Sequence, residues 1–241
     1  MLRSLKEPHY NFLRLILQLI SGKKIISGIF KDLKFDVANF NTAMLIGTWE
    51  LELFPVLNEI FKKKFSSIFV IGAAEGYYAV GFSRHLPETN IFAFEKQCDY
   101  REKLERLKIS NSSQNIHVEG NCDSKILKSH LQLGGDNPFI FCDIEGGEIQ
   151  LLNLKLIPEL VKTELLVEVH EMYVENCQQK LLDEFKNTHN FTIIYGKERQ
   201  LNDLPESCRI LSYFASKETV INLMNEGRPY PMNWIWLQPL N

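Results

Sequence analysis

The side chains able to do chemistry gather where apolar runs stop. Ile68-Phe69-Val70-Ile71 ends at Gly72 and continues as Ala73-Ala74-Glu75-Gly76-Tyr77-Tyr78, and a second run, Ile91-Phe92-Ala93-Phe94, ends at Glu95. A glycine turn closing a buried strand, with an acid about 20 residues further on, is the spacing at which an α/β nucleotide site places its ribose-binding carboxylate. The glycines would let backbone approach a ligand, and Glu95 would accept hydrogen bonds from a ribose diol. The spacing is G-x-x-x-G and lacks the extra glycine of a pyrophosphate-binding loop. An adenosine ligand without phosphates therefore fits better than a dinucleotide. Turn amides and a helix start would face the ligand, with Glu75 towards a positive group; each element taken alone is also an ordinary strand-helix turn and a surface acid.

Asp143-Ile144-Glu145-Gly146-Gly147-Glu148 follows the run Phe139-Ile140-Phe141-Cys142. Acids crowded at a strand end repel one another unless a cation is present, and a sulfonium, an amine or a metal ion would relieve that repulsion. The alternative is a solvated helix start, where the dipole favours acids. Leu165-Leu166-Val167-Glu168-Val169-His170-Glu171 ends a further run with polar groups on the same rim. His170 could take a proton from a substrate hydroxyl or serve only as a hydrogen-bonding bystander. After Ile116–Val118, Asn121 and Asp123 could flank an adenine ring, and Asp123 could equally cap the next helix. His9, His85, His117, His130 and His189 show no ligand spacing and read as surface or partly buried residues.

Such a rim needs a frame that brings strand ends together. Apolar runs at 67–72, 91–95, 115–118, 138–143, 164–169 and 190–195 alternate with helix-compatible stretches at 76–86, 98–109, 123–133, 146–155 and 175–188. Short continuous apolar runs joined by crossover helices are the pattern of buried parallel strands. The alternation predicts an α/β, doubly wound, mostly parallel sheet with ligands at the C-terminal strand ends. Upstream, helices are expected over 9–21 and about 41–63, the latter punctuated by Gly47 and Pro55. Beyond 195, Arg209–Ala215 is expected as a strand antiparallel to 190–195, and Ser216–Glu226 as a helix. The tail with Tyr230, Trp234 and Trp236 could close over a substrate, but reads more simply as a strap over the core or a dimer contact. No linker divides the chain. The expected organisation is an N-terminal helical extension over 1–64 and a ligand-binding domain over 65–241.

Composition narrows the function classes. The 241 residues are 45% hydrophobic and 24% charged, ordinary for a globular chain long enough to bury a full core. A net charge of −3 offers no electrostatic footprint for nucleic acid. The five cysteines are widely spaced without a C-x-x-C pair, which argues against a disulfide framework or zinc site and for a reducing, cytoplasmic setting. Residues 12–20, after Arg3 and Lys6, resemble a signal-peptide core. Arg14 and Gln18 interrupt that run, and it is too short to span a bilayer, so it is expected to pack as an amphipathic helix.

These motifs together resemble those of class I S-adenosylmethionine-dependent methyltransferases, and within them the FkbM-type group. Residues Val70 to Tyr78 are similar to that group's first glycine motif. Asp143-Ile144-Glu145-Gly146-Gly147-Glu148 is similar to its aspartate–x–glutamate–glycine–x–glutamate signature, the most specific of the matches, and Glu168-Val169-His170 resembles the acid-x-histidine that ends its next core strand. The likeness covers residues 65–195. Two positions depart from the group, Val70 where it usually has an acid and Ala74 where it usually has an asparagine. The resemblance implies a Rossmann-like, mostly parallel seven-stranded sheet and S-adenosylmethionine as cofactor. It places Gly72, Glu75, Gly76 and Tyr77 at the methionine end, Glu95 on the ribose, Asn121 or Asp123 at the adenine edge and Asp143 beside the sulfonium, with Glu145 or His170 taking a proton. The activity implied is O-methylation of a small-molecule or glycan acceptor, with a homodimer possible. Two other readings stay open: a non-catalytic scaffold with this fold, and a metal-assisted reaction at Asp143, Glu145 and His170.

Overall fold

A computed structural model describes residues 8–35 and 41–240; Arg3 and Lys6 lie outside these, as does the side chain of His9. In chain order the helices are α1 (Pro8–Ser21), α2 (Thr42–Ile46), α3 (Phe54–Ile60), α4 (Tyr77–His85), α5 (Cys98–Asn111), α6 (Ser124–Leu133), α7 (Glu148–Leu151), α8 (Cys177–Phe185) and α9 (Lys217–Leu223). The strands are β1 (Ser67–Ile71), β2 (Asn90–Phe94), β3 (Ile116–Glu119), β4 (Pro138–Cys142), β5 (Glu164–Val169), β6 (His189–Ile194) and β7 (Asn233–Pro239). The chain divides into two compact units, one of residues up to 54 with 196–231 and one of 55–195 with 232 onwards.

The larger unit is built on a seven-stranded sheet in the order β3-β2-β1-β4-β5-β7-β6. β1 to β5 pair in parallel, and β7 runs antiparallel between β5 and β6. All six predicted apolar runs are strands. β1, β4 and β5 are buried along their whole lengths, which is why they lack polar alternation. On one face Ile71, Ile140, Cys142, Val167 and Ile235 join Leu127 and Leu131 of α6 and Leu181 and Phe185 of α8 in one core. On the other, the ring of Tyr78 in α4 lies tilted 4.2 Å from that of Phe141, and Trp234 lies 4.9 Å from the same ring. Strand order reverses at β1, with β2 and β3 on one side and β4 and β5 on the other. In open α/β sheets ligands bind at such a reversal, which here lies at the C-terminal ends of β1 and β4.

Several expectations are corrected. The antiparallel partner of β6 is β7, formed by the aromatic tail, while residues 206–213 form a 3₁₀ helix that buries Cys208 and Leu211 at helical spacing. The tail is therefore an interior strand and not a strap. Its Trp234, Ile235 and Leu237 are fully enclosed. The helix expected over 41–63 breaks because Gly47, at φ 86, closes α2, and α3 restarts at Phe54-Pro55. The helix expected over 146–155 shrinks to α7, since Asn153 turns the chain by accepting from Lys155 N and Leu156 N. His189 is buried, accepting from or donating to Thr188 and bonded to the Thr163 carbonyl at 2.9 Å.

In the smaller unit, Leu13 and Leu17 of α1 pack with Leu45 and Ile46 of α2 and Val220 and Leu223 of α9, while Phe12, Leu15 and Leu19 face outward. Arg199, almost fully enclosed, bridges Glu52 and Glu226. Among the described residues no helix is long and apolar enough to cross a membrane.

Candidate functional site

The β1–α4 turn is shaped by its neighbours. Gly72 has φ +83, and a Cβ there would stand 1.6 Å from the carbonyl oxygen of Asp143. At Gly76 (φ +102) a Cβ would meet Leu104 Cδ1 at 2.3 Å. Both glycines thus let secondary structure close up, whereas the sequence suggested room for a ligand. Gly72 N and Ala73 N donate to the Phe94 carbonyl, and Asp143 N donates to Ile71 O at 2.9 Å, so the ends of β2, β1 and β4 are tied side by side. Ala74 takes a left-handed φ of 44, a conformation that costs an L-residue about 1–2 kcal/mol. The asparagine usual in the resembling group tolerates that region better than alanine does.

Glu95, directly after β2, is buried and holds this turn. Its Oε2 accepts from Ala74 N at 2.9 Å and its Oε1 from Gln97 N at 2.8 Å. Each oxygen keeps a lone pair beyond these bonds. Glu75 sits in the turn, partly exposed. Tyr77 opens α4 with its ring buried, edge-on to Tyr78 at 5.2 Å. Asp123 caps α6, its Oδ1 accepting from Lys125 N and Ile126 N at 2.9 Å. Asn121 is exposed in the loop after β3.

On the other side of the reversal, acids surround one histidine. Glu168 and His170 sit at i and i+2, so they share a sheet face at the end of β5. His170 is buried, and Nδ1 lies 2.8 Å from Glu148 Oε1. Nε2 lies 3.2 Å from Glu168 Oε2, 3.4 Å from Glu145 Oε2 and 3.5 Å from Asp143 Oδ1. Glu148, fully enclosed at the start of α7, is itself fixed by Ile144 N and Gly146 N at 3.2 Å. Burial works against charge on His170. Hydrogen bonds to Glu148 and Glu168, with the charges of Glu168 and Asp143, outweigh it and raise its pKa to about 10. Burial likewise opposes charge on Glu148, and the hydrogen bond and charge of His170 together with the backbone amides outweigh it, so its carboxyl lies below its usual range. At neutral pH His170 is an imidazolium with no lone pair for a proton. Glu145, whose side chain is 67% exposed, is the reachable acid beside it. Glu145 also holds a left-handed φ of 55.

The structure thus gathers Gly72, Glu75, Gly76, Tyr77 and Glu95 at one side of the reversal point and Asp143, Glu145 and His170 at the other. Glu148 and Glu168, the closest partners of His170, belong to the two acidic motifs quoted from the sequence but were given no role of their own there. The i, i+2 spacing of Glu168 to His170 carried the signal for one of them. Glu148 is brought in by the tight Gly146-Gly147 turn, which has no such spacing rule.

No protein-family model matches the chain and no curated protein matches it in sequence, so the FkbM-type resemblance stands on the quoted motifs alone. Solved structures of similar fold include a precorrin-6y C5,15-methyltransferase from Geobacter metallireducens at 10% identity and TM-score 0.46, covering 78% of this chain and 87% of that one. An rRNA methylase from Streptococcus thermophilus matches at 11% identity and TM-score 0.47, covering 79% of this chain and 97% of that one. TYW2 of M. jannaschii, in complex with AdoMet, matches at 7% identity and TM-score 0.42, covering 80% of this chain and 78% of that one. These likenesses are remote, and what the rim can do follows from its own residues.

Proposed function

We propose that the crevice binds S-adenosylmethionine and that the protein is a methyltransferase acting on an oxygen of a small-molecule or glycan acceptor. The observation that carries this is Glu95: a buried carboxylate after β2 that clamps the glycine turn through Ala74 N and still offers lone pairs to a diol. The turn from Gly72 to Tyr77, with Glu75, would hold the methionine end, Glu95 the ribose, and Asn121 the adenine edge. Asp123 spends one oxygen on its cap and keeps the other for a base edge. Asp143 would face the sulfonium, whose positive charge suits an acid-rich rim.

Bound there, the cofactor would supply a methyl group on a good leaving group, and Glu145 would take the proton of the acceptor hydroxyl. The chain's own contribution is alignment, worth several kcal/mol of barrier when reacting atoms are held in line. His170, its ring fixed by Glu148, would stand behind Glu145 on the same rim. Calorimetric titration with S-adenosylhomocysteine tests the reading. Binding by the wild type that weakens at least tenfold in Glu95→Ala, with folding retained by circular dichroism, supports it. Unchanged affinity in Glu95→Ala removes the ribose assignment, and no binding by the wild type removes the proposal.

A further inference from the structure

The surroundings of His170 do not balance as hydrogen bonding. Nδ1 is committed to Glu148 Oε1, which leaves Nε2 with a single hydrogen. Three carboxylate oxygens converge on that nitrogen, from Glu168, Glu145 and Asp143 at 3.2, 3.4 and 3.5 Å. One hydrogen cannot serve three acceptors, and separations beyond about 3.2 Å are long for an N–H···O bond. Those distances suit a different arrangement. Two ligands about 2.1 Å from one ion and at right angles to each other stand roughly 3 Å apart. The donor atoms of Asp143, Glu168 and His170 all lie within 4.8 Å of one another.

A second observation lies on the neighbouring strand. Trp234 of β7 is the register partner of Glu168, so its side chain stands on the same sheet face. The indole is fully enclosed, and Nε1 meets no acceptor among the described residues. An enclosed donor without an acceptor is uncommon and asks for an oxygen that the protein does not supply. Water or a hydroxyl carried by an ion at the cluster is such an oxygen. The contact from Nδ1 to Glu148 Oε1 completes the pattern, because a metal-binding imidazole regularly gives its other nitrogen to a carboxylate that fixes the ring.

We propose that Asp143, Glu168 and Nε2 of His170 form a binding site for a divalent cation of the Mg²⁺ or Mn²⁺ kind, facing the acceptor side of the crevice. Two carboxylates and one imidazole form a mostly hard donor set, and thiols are absent from it. The ion takes the position of the Nε2 hydrogen and, for methyl transfer, draws the acceptor hydroxyl to itself and makes its proton easier for Glu145 to remove. That use rests on the methyltransferase reading, while ion binding does not. Acceptors with two adjacent oxygens, such as a sugar diol, suit an ion that keeps open coordination positions.

The test is Mn²⁺ titration of the full chain, followed by loss of the free-ion electron paramagnetic resonance signal, with no cofactor present. One Mn²⁺ per chain is expected. Binding should weaken at least 30-fold in Asp143→Asn and in Glu168→Gln, and stay within twofold in Glu175→Gln, an exposed acid outside the cluster. Circular dichroism checks that each variant folds; if the cluster variants do not, His170→Gln replaces them with the same expectation. Failure of the wild type to bind one ion, or equal binding by the cluster variants, overturns the site. S-adenosylhomocysteine titration in chelator decides the cofactor reading separately, so either can fail alone.

Discussion

Replacing Gly72 by alanine tests whether the turn is held as described. At φ +83 an alanine pays about 1–2 kcal/mol for the left-handed region. Its Cβ would also stand 1.6 Å from the Asp143 carbonyl oxygen, a backbone atom that cannot rotate away. Relief requires β1 and β4 to part at their ends, an overpacking cost of about 1–3 kcal/mol. The bond from Asp143 N to Ile71 O lies in the path of that movement, and its loss adds about 1 kcal/mol. Together these predict destabilisation of about 3–6 kcal/mol, a large share of the roughly 5–15 kcal/mol typical of a domain. Urea denaturation at 25 °C, followed by far-ultraviolet circular dichroism, measures it. Gly120→Ala is the control, since nothing lies within 4 Å of a Cβ there, and it should change stability by no more than about 0.5 kcal/mol. A loss below about 1 kcal/mol for Gly72→Ala would mean that the strand ends are not packed this tightly.

Other perturbations have defined signs. Ala74→Gly should hold or raise stability by about 0.5–1 kcal/mol, as relief of left-handed strain exceeds the added chain entropy, measured by the same denaturation. Trp236→Phe deletes the indole bond at 2.7 Å to buried Glu164, which also pairs with Lys63, and should cost about 2 kcal/mol by thermal or urea unfolding. Burial lowers the pKa of His189, against a smaller opposing effect of the Thr163 carbonyl. Its folded value lies below the unfolded one, so its contribution to stability is fully present above about pH 6.5 and is lost as pH falls below that. The stability difference between wild type and His189→Gln should therefore shrink from pH 7.5 to pH 5. A constant difference would show that the ring is not held neutral by burial.

The parallel strands were legible because a strand covered on both faces is an unbroken apolar run, as at Ile68–Ile71 and Phe139–Cys142. β7 has the same character in Trp234-Ile235-Trp236-Leu237, but standing apart from the strand-helix alternation it read as a strap over the core or a dimer contact. Arg209–Ala215 misled in the opposite direction. Its branched and aromatic residues suit a strand, yet the buried positions fall three apart, at Cys208 and Leu211. At the site, strand ends announced Glu95, Asp143 and His170. What one sequence could not display was the surroundings of that ring: the state of His170 depends on Glu148 and Glu168, which come close only once α7 and β5 are folded. Asp123 shows the same limit, since a cap and a ligand contact need the same residue in the same loop.

The placement of β7 also governs how the sheet can assemble. Among the described residues β6 pairs with no strand but β7, and β5 has β7 as its second neighbour. Until residues 233–239 slide between them, both strands present unpaired amides and carbonyls, and β5 does so along the apolar run Leu165–Val167. A ribosome pausing before that point, or a fusion that hinders the segment, would leave two sticky borders of the kind that chaperones bind and that aggregates grow from.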